Sequence, residues 1–400
     1  MSYKGGILVL VTLNIYAACY YFNYLFFQLR ERFGYGDRDN LWFAAACGFL
    51  YTFCSWIGGH YSQRRGYLNA LKVGGGTVAV ALGGACFLNT AGGQLAAMLL
   101  WTVGICFTWA PLEALASEGK SRADVARGVG IYNVVWAAGA AVAYFTGGQV
   151  MQALGPLSLF WLPATLHTAQ LGLIFWLARK TRIEPLPWST PLQPAASEQS
   201  SEAPRSSRTR QFLRLAWLAN VFSYMAMSTV VPLIPGLAAQ QGLTQAQAGF
   251  VASVWMFGRL TAFVVLWKWE GWHYHAVWLT GGYLAMIGSF AALLLAGSLS
   301  VIVIAQWVFG LAVGLIYYSS LYYSMDAGDE KGAHGGIHEA LIGLGIFGGP
   351  AVGGAALSLA PGTAHAGVWA VSGTLLAGFV ALLVLKRASD GQAAPPQRKS

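Results

Sequence analysis

Charge is scarce in this 400-residue sequence: Asp, Glu, Lys and Arg make up 10% of it, whereas apolar residues make up 56%. Soluble globular chains carry about 25% charged residues, so this composition excludes a soluble protein. Lipid can surround such a chain when helices pair all of the backbone polar groups. The 50 glycines fit the close packing of membrane helices. The composition therefore predicts an all-α polytopic membrane protein.

Common sequence motifs of nucleotide-binding and hydrolytic enzymes are also missing. No GxxxxGK[ST] phosphate loop occurs, which argues against direct use of ATP, and neither HExxH nor GxSxG is present. The five cysteines lie in apolar stretches without CxxC spacing, so we interpret them as core residues and expect no disulfide, metal or cofactor. The net charge of +9 could indicate a nucleic-acid partner, but its distribution along the chain has another explanation.

That explanation is membrane orientation. If both termini and the central linker lie on one side, 20 of the 24 Lys and Arg residues fall on that side. Arg30, Arg32 and Arg38 fall on the other side, and Arg259 lies within a predicted span. The positive-inside rule then places both termini in the cytoplasm. We expect a multi-pass monomer in the plasma (inner) membrane, surrounded by lipid bilayer and with no nucleic-acid partner.

The sequence repeats itself without a gap at an offset of 206 residues. Both copies are strongly apolar, and two similar membrane halves in parallel order are an architecture of transporters, with the substrate path between the halves. The matched positions include Asn14 and Asn220, Gly75 and Gly281, Trp101 and Trp307, Gly139 and Gly345, and Gly147 and Gly353.

Twelve apolar segments are long enough to cross a bilayer as helices of about 20 residues. The predicted spans are residues 6–29, 41–62, 68–89, 94–117, 126–150, 157–179, 211–236, 246–268, 274–296, 299–324, 335–358 and 365–386. The chain thus divides into a first six-helix bundle (1–183), a Pro- and Ser-rich linker predicted to be disordered (184–210), a second bundle (211–387) and a cytoplasmic tail (388–400).

With twelve spans in two groups of six, a long central loop and cytoplasmic termini, the sequence resembles the major facilitator superfamily over nearly its whole length. A local match follows span two, where the family has the pattern G-x-L-a-D-r-x-G-r-r. Gly59, Arg64 and Gly66 match it, and Arg65 adds a second basic residue. Gln63 replaces the family's aspartate, which belongs to a charge relay that latches the halves together. Gln63 can keep a hydrogen bond but not the charge.

The resemblance implies two bundles that rock in alternating access around a cavity lined by spans one, four, seven and ten. Apart from Arg214 near the start of span seven, no Lys or Arg lies within those spans. Because phosphate esters and di-acids call for bidentate cations, we expect a small neutral, zwitterionic or amphipathic organic substrate. Aromatic and amide side chains in those spans are the predicted cavity lining: Tyr16, Tyr20, Asn23, Tyr24, Asn220, Tyr224 and Tyr317.

Ionisable side chains inside the spans cost about 2.5–3.5 kcal/mol each and usually face a cavity or a partner. Glu113 or Glu339 is interpreted as a proton-accepting carboxylate, because burial favours its neutral form. The alternative is a cytoplasmic gate held by hydrogen bonds or by Arg259. The repeat places the pair formed by residues 338 and 339 on residues 132 and 133. The full set of predicted coupling or gate residues is Glu113, Glu339, His338, Arg259, Tyr132 and Asn133.

The predicted function is secondary active transport, driven by protons or by the substrate gradient alone. Two alternatives stay open. One is a transport-inactive membrane sensor or scaffold, which the altered loop motif permits. The other is a membrane-embedded enzyme that uses Glu113 or His338 as acid–base groups. Solid packing between the halves would favour the scaffold, and a lateral opening to lipid beside paired acid–base groups would favour the enzyme.

Overall fold

The structure is a computed structural model that describes residues 2–117, 122–183, 206–326, 331–363 and 365–393. In these ranges the chain forms thirteen α-helices and no β-strand. The helices are α1 (Tyr3–Phe33), α2 (Asp37–Arg65), α3 (Tyr67–Ala85), α4 (Ala91–Cys106), α5 (Trp109–Ser117), α6 (Arg122–Leu154), α7 (Ser158–Ile183), α8 (Ser206–Gln240), α9 (Gln245–Lys268), α10 (Ala276–Leu295), α11 (Leu299–Asp326), α12 (Lys331–Leu359) and α13 (Ala366–Ala393).

The thirteen helices of the described ranges make twelve crossings, because α4 and α5 are two parts of the predicted fourth span. By length and composition, ten candidate membrane spans are present, one of which runs through both α4 and α5. Helices α3 and α7 are the crossings outside that set. The predicted all-α polytopic fold is confirmed.

Two helices extend beyond the predicted bounds of the bundles. Helix α8 begins at Ser206, inside the predicted linker, and α13 continues to Ala393, inside the predicted tail. The apolar runs that define spans end at the hydrocarbon boundary, whereas a helix continues into water when its own backbone hydrogen bonds are kept. The linker residues 184–205 and the tail residues 394–400 lie outside the described residues, and so the disorder of the linker stays a prediction.

The sequence repeat corresponds to a repeated helix contact. In the first half, a methyl group added at Gly139 of α6 would overlap Ile15 of α1. In the second half, one added at Gly345 of α12 would overlap the carbonyl oxygen of Val221 on α8. The offset of 206 residues relates Gly139 to Gly345 and Ile15 to Val221. These paired glycines hold equivalent helices at the same close distance in both halves, as small residues do in membrane helix pairs.

The halves meet along two long helix pairs, α2 with α12 and α6 with α9. We call the end of the bundle where α1 begins and α13 ends the terminal face, and the opposite end the distal face. At the distal face Asn40 Nδ2 donates to the Pro232 carbonyl oxygen at 3.2 Å, and Trp42 Nε1 donates to Ser358 Oγ at 3.1 Å. Helix α5 packs on first-half helices and α11 on second-half helices. The halves are therefore bonded together at the distal face.

Replacing Gly345 with Ala tests the close contact of α12 with α8. We expect Gly345→Ala to cost about 1–3 kcal/mol of stability, since the added methyl group forces the two helices apart. Gly281→Ala is the matched control in the same half, because no atom lies within 4 Å of its added methyl group. The control should be neutral or stabilising by up to about 1 kcal/mol. Equal unfolding temperatures for the two variants in detergent would contradict the close contact.

Candidate functional site

A break in the fourth crossing sets the position of Glu113. Helix α4 ends at Cys106 and α5 begins at Trp109, which places Pro111 in the first turn of α5. Proline has no N–H group, and its ring clashes with the carbonyl group four residues earlier, here that of Phe107. The helix interruption lies at that residue. The proline that follows it explains why the chain restarts as a separate short helix carrying Glu113.

Polar contacts hold this break in place. Thr108 Oγ1 donates to the Ile105 carbonyl oxygen at 2.7 Å, which satisfies a group at the end of α4. Asn14 Nδ2 of α1 donates to the same hydroxyl at 3.2 Å, and both Asn14 and Thr108 are buried. Helix α1 is thus bonded directly to the interruption in the fourth crossing.

Glu339 lies at the seam between the halves. Tyr51 of α2 donates its hydroxyl to Glu339 Oε2 of α12 at 3.0 Å, a hydrogen bond that joins the first half to the second. Its neighbour His338 is buried, with Nδ1 at 3.1 Å from Ser320 Oγ of α11. Tyr51 and Glu339 each keep partial solvent access. His338 therefore braces α12 against α11, whereas Glu339 bonds across the seam between the halves.

The structure brings the two predicted carboxyl groups together. Glu113 and Glu339 are close enough for their charges to interact, although they come from different halves. Tyr132 of α6 and Tyr224 of α8 interact with both carboxyl groups. Glu113, like Glu339, is only half-buried. The result is a shared polar cluster, with one acid from each half.

Arg259 of α9 lies among aromatic rings. Its side chain is 2% exposed, and its guanidinium carbon stands 4.7 Å from the ring centre of Trp136, 4.8 Å from that of Tyr317 and 5.3 Å from that of Phe263. Nη1 points to Met227 Sδ at 3.6 Å. Within the described residues Arg259 makes no salt bridge, so the gate interpretation that pairs it with an acid is not what the structure shows.

The predicted cavity residues fall into two groups, and the first belongs to the packing of the first half. Tyr20 Oη bonds Ser158 Oγ at 2.8 Å, and Tyr24 donates to the Tyr144 carbonyl oxygen at 2.7 Å. Tyr16, which is half-buried, bonds a hydroxyl of α6 at 3.1 Å. The three tyrosines share a helix face, as their spacing predicts. That spacing does not say which neighbouring helix the face meets, which here is α6 and α7.

The second group lies towards the seam. Tyr224 and Tyr317 stand 6.3 Å apart between ring centres and keep partial solvent access. The buried amides of Asn23 and Asn220 have no hydrogen-bond partner within the described protein. These four residues remain the candidates for a substrate-facing surface. Sequence reasoning missed Tyr51 and Trp136 because it searched only spans one, four, seven and ten for the lining. It missed Thr108 and Ser320, which lie in spans four and ten, because the sequence does not show that their hydroxyl groups bond Asn14 and His338.

The loop motif ends α2 and begins α3. Gly66 has φ of +90°, which glycine adopts without steric cost, and its N–H donates to the Ser62 carbonyl oxygen at 2.9 Å. Gly59 lies one helical turn or more before it, in α2. The side chains that follow it in the motif are exposed at the terminal face: Gln63, Arg64 and Arg65. Within the described residues no hydrogen bond joins these three to the second half, so the latch is not closed in this conformation.

Comparison with known proteins addresses the whole architecture. The sequence profile of the Major Facilitator Superfamily matches residues 3–144. A mutant of the nucleoside transporter NupG superposes with a TM-score of 0.68 at 12% identity, covering 98% of this chain and 100% of that one. The chain has the major facilitator fold. The human organic anion transporter MFSD10 (TETRAN) superposes with a TM-score of 0.68 at 16% identity over 96% of this chain and 98% of its own.

NupG itself gives a TM-score of 0.65 at 12% identity, over 98% of this chain and 99% of that chain. No curated relative matches by sequence. The profile match and the full-length superpositions confirm the resemblance to the major facilitator superfamily. The matched family and these neighbours are transporters, and this chain is similar to them in fold and, over residues 3–144, in sequence.

Cysteine accessibility tests the division of the tyrosines. In a background with the five native cysteines replaced, Tyr224→Cys and Tyr317→Cys should react with a polar thiol reagent, because both positions keep solvent access. Tyr20→Cys and Tyr24→Cys should react much more slowly, because each side chain is 0% exposed. Rates are compared by mass spectrometry on purified protein with unchanged unfolding temperature. Equal rates at all four positions would contradict the division.

Proposed function

We propose that this major facilitator protein is a secondary active transporter that moves a small neutral, zwitterionic or amphipathic organic solute by alternating access, with proton coupling through Glu113 and Glu339. One observation carries the proposal: a carboxyl group from each half lies close enough to the other for their charges to interact, and both side chains are half-buried. Acids at the seam of a two-bundle transporter are placed to sense the relative position of the bundles.

The closed distal face supports alternating access. The bonds from Asn40 and Trp42 to the second half fasten the distal ends of the bundles. On the terminal side, α5 and α11 pack within their own halves, and these helices carry Glu113 and Tyr317. This arrangement suits a state open to the terminal face, in which solute and protons reach the seam from that side.

In this proposal, the cluster around Glu113 and Glu339 links protonation to the side of the membrane to which the transporter is open. When both carboxyl groups are ionised their charges repel across the seam, and one bound proton removes that repulsion. The hydrogen bond from Tyr51 to Glu339 exists only while α2 and α12 are in register. Proton binding and the relative position of the halves therefore bias one another, which is the thermodynamic requirement for coupled transport.

The charges at the two faces support the proposed orientation, with both termini in the cytoplasm of a plasma (inner) membrane protein. At the distal face Arg30 pairs with Asp37 at 3.4 Å and Arg38 with Asp39 at 3.0 Å. At the terminal face the basic residues of the loop motif are exposed. Positive charge without acidic partners in the described residues thus collects at one face, as cytoplasmic loops require.

The proposed class of solute is based on the side chains that are candidates to line the substrate site. Tyr224 and Tyr317 offer aromatic faces, and the unpartnered amides of Asn23 and Asn220 offer hydrogen-bond groups. NupG is a nucleoside transporter and MFSD10 an organic anion transporter, and both therefore act on small organic solutes. We propose that this transporter works as a monomer, with a small organic molecule and protons as its partners and without a cofactor.

Neutralising Glu113 tests proton coupling. Glu113→Gln mimics the protonated acid at nearly constant shape. In vesicles we expect it to keep solute exchange but to lose accumulation driven by an imposed pH gradient, down to the level seen without a gradient. The substrate used is the first in a panel of organic solutes that the wild type accumulates. Glu31→Gln, on an exposed residue of α1, is the matched control and should leave both activities unchanged.

Glu339→Gln and Tyr51→Phe complete that experiment. If Glu339 shares the coupling role, Glu339→Gln should show the same uncoupling, and Tyr51→Phe should weaken coupling by removing the bond between the halves. Unaltered pH-driven accumulation in Glu113→Gln and in Glu339→Gln would remove both acids from the mechanism. A parallel fall of exchange and driven transport would instead indicate a structural gate.

A further inference from the structure

Arg259 is a buried cation without a charged partner in the described protein. A guanidinium group that is 2% exposed normally pairs with a carboxylate, because removing an ion from water costs several kcal/mol. Three aromatic rings compensate part of that cost through cation–π contacts. They leave part of its hydrogen-bonding capacity unused. Its polar contacts in the described protein are with the side chain of Tyr224 and, weakly, from Nη1 to Met227 Sδ.

The unused hydrogen-bonding capacity of Arg259 lies in two of its three guanidinium nitrogens. Nε and Nη2 of Arg259 have no hydrogen-bond partner within the described protein. These two nitrogens form one edge of the planar guanidinium group, and their N–H bonds run parallel. A carboxylate accepts two parallel N–H bonds from such an edge, in the bidentate geometry that makes arginine its preferred partner. The rings hold the group while that edge is left for a ligand.

Unpartnered amides lie on the neighbouring helix faces. Asn220 lies two helical turns before Met227 on α8, and Asn133 lies one turn before Trp136 on α6, so each shares a face with a residue that contacts Arg259. Both amide atoms of Asn220 and Nδ2 of Asn133 have no partner within the described protein, although each side chain is 1% exposed. Buried amides are nearly always hydrogen-bonded, so these groups also indicate a ligand.

The two halves of the repeat differ at this point. In the first half Asn14 donates to Thr108 at the break of the fourth crossing. The repeat relates Asn14 to Asn220 and Thr108 to Gly314, which has no side chain, and α11 runs through that position without a break. Asn220 thus lacks the internal partner that satisfies its counterpart. The sequence departs from its own symmetry on the helix face that also carries Met227.

We propose that Arg259 is the anion-recognising residue of the substrate site, and that the solute carries a carboxylate bound bidentately by Nε and Nη2. Its polar groups meet the amides of Asn220 and Asn133, and its apolar part packs on the rings around the guanidinium group. The inference deepens the proposed function, on which it rests: within the proposed range it selects zwitterions and amphipathic monocarboxylates. One cation suits one carboxylate, and apart from Arg214 near the start of span seven no Lys or Arg lies within the predicted spans one, four, seven and ten.

Matched carboxylate and amide probes test the proposal by binding to the purified full chain in detergent, without any gradient. The pairs are benzoate with benzamide, phenylacetate with phenylacetamide, and indole-3-acetate with indole-3-acetamide. At least one carboxylate should bind the wild type roughly 10- to 100-fold more tightly than its amide, the discrimination expected of charge-assisted hydrogen bonds. Arg259→Met should abolish that preference, and Arg259→Lys should retain only part of it, because lysine cannot bind bidentately.

Unfolding temperatures without ligand separate binding from a structural role. Arg259→Met removes a buried cation that lacks an acidic partner, so its unfolding temperature should equal or exceed that of the wild type. Arg64→Met, on the exposed loop, is the matched control for loss of one positive charge and should keep the full carboxylate preference.

Three results overturn the proposal. The first is a wild type without carboxylate preference in any pair. The second is an Arg259→Met variant that keeps the preference. The third is a large drop in the unfolding temperature of both Arg259 variants, which would show that the cation–π contacts brace the fold. The vesicle assay measures proton coupling through Glu113 separately, so none of these three results decides it. A carboxylate preference in detergent likewise stands even if the Glu113→Gln variant stays coupled.

Discussion

Lipid supplies no hydrogen bonds, and this constraint shapes the whole molecule. Every polar side chain within the membrane must find a partner inside the protein or face a space that water or solute can enter. In this chain the polar groups are drawn towards the seam between two apolar bundles. There Tyr51 bonds Glu339, and the charge of Glu113 interacts with that of Glu339. The place where the bundles meet is therefore also the place where the two carboxyl groups lie.

Glycine makes this seam possible. Gly48 of α2 lies against the backbone of Ile346 on α12, and Gly148 of α6 lies against the backbone of Ala246 on α9. These contacts leave no space for a side chain, so the two helix pairs that join the halves run backbone against backbone. Close pairs of this kind can slide or rock without repacking bulky side chains. The rigid contacts within each half, such as that of Gly345 with α8, keep each bundle whole during such a motion.

Much of the fold follows from the sequence, because length and hydropathy decide whether a segment crosses lipid, and the repeat decides how the segments divide. The pairing of Gly139 with Gly345 could be read directly from the 206-residue offset. The ends of α8 and α13 could not, since helices continue into water beyond the apolar run that reveals them. The same limit applies to the site: periodicity places Tyr20 and Tyr24 on one face but does not say that the face meets α6 and α7.

Ionisable residues in spans are few, and so the sequence picks out Glu113, Glu339 and Arg259 without any structure. It does not reveal their partners, which come from other helices: Tyr51 from α2 for Glu339 and Trp136 from α6 for Arg259.

The positions at which the two halves of the repeat differ carry more information than the positions at which they match. Thr108 and Gly314 occupy equivalent positions of the repeat. Thr108 lies at a helix break and bonds Asn14. At Gly314 the helix α11 is continuous, and within the described residues the amide of Asn220 has no partner. A duplicated bundle starts with two equivalent halves, and a solute that is not itself symmetric can be recognised only where the halves have ceased to match. The break in the first half places the acid Glu113, and in the second half α11 is continuous, so that within the described residues Asn220 lacks the partner that its counterpart Asn14 has.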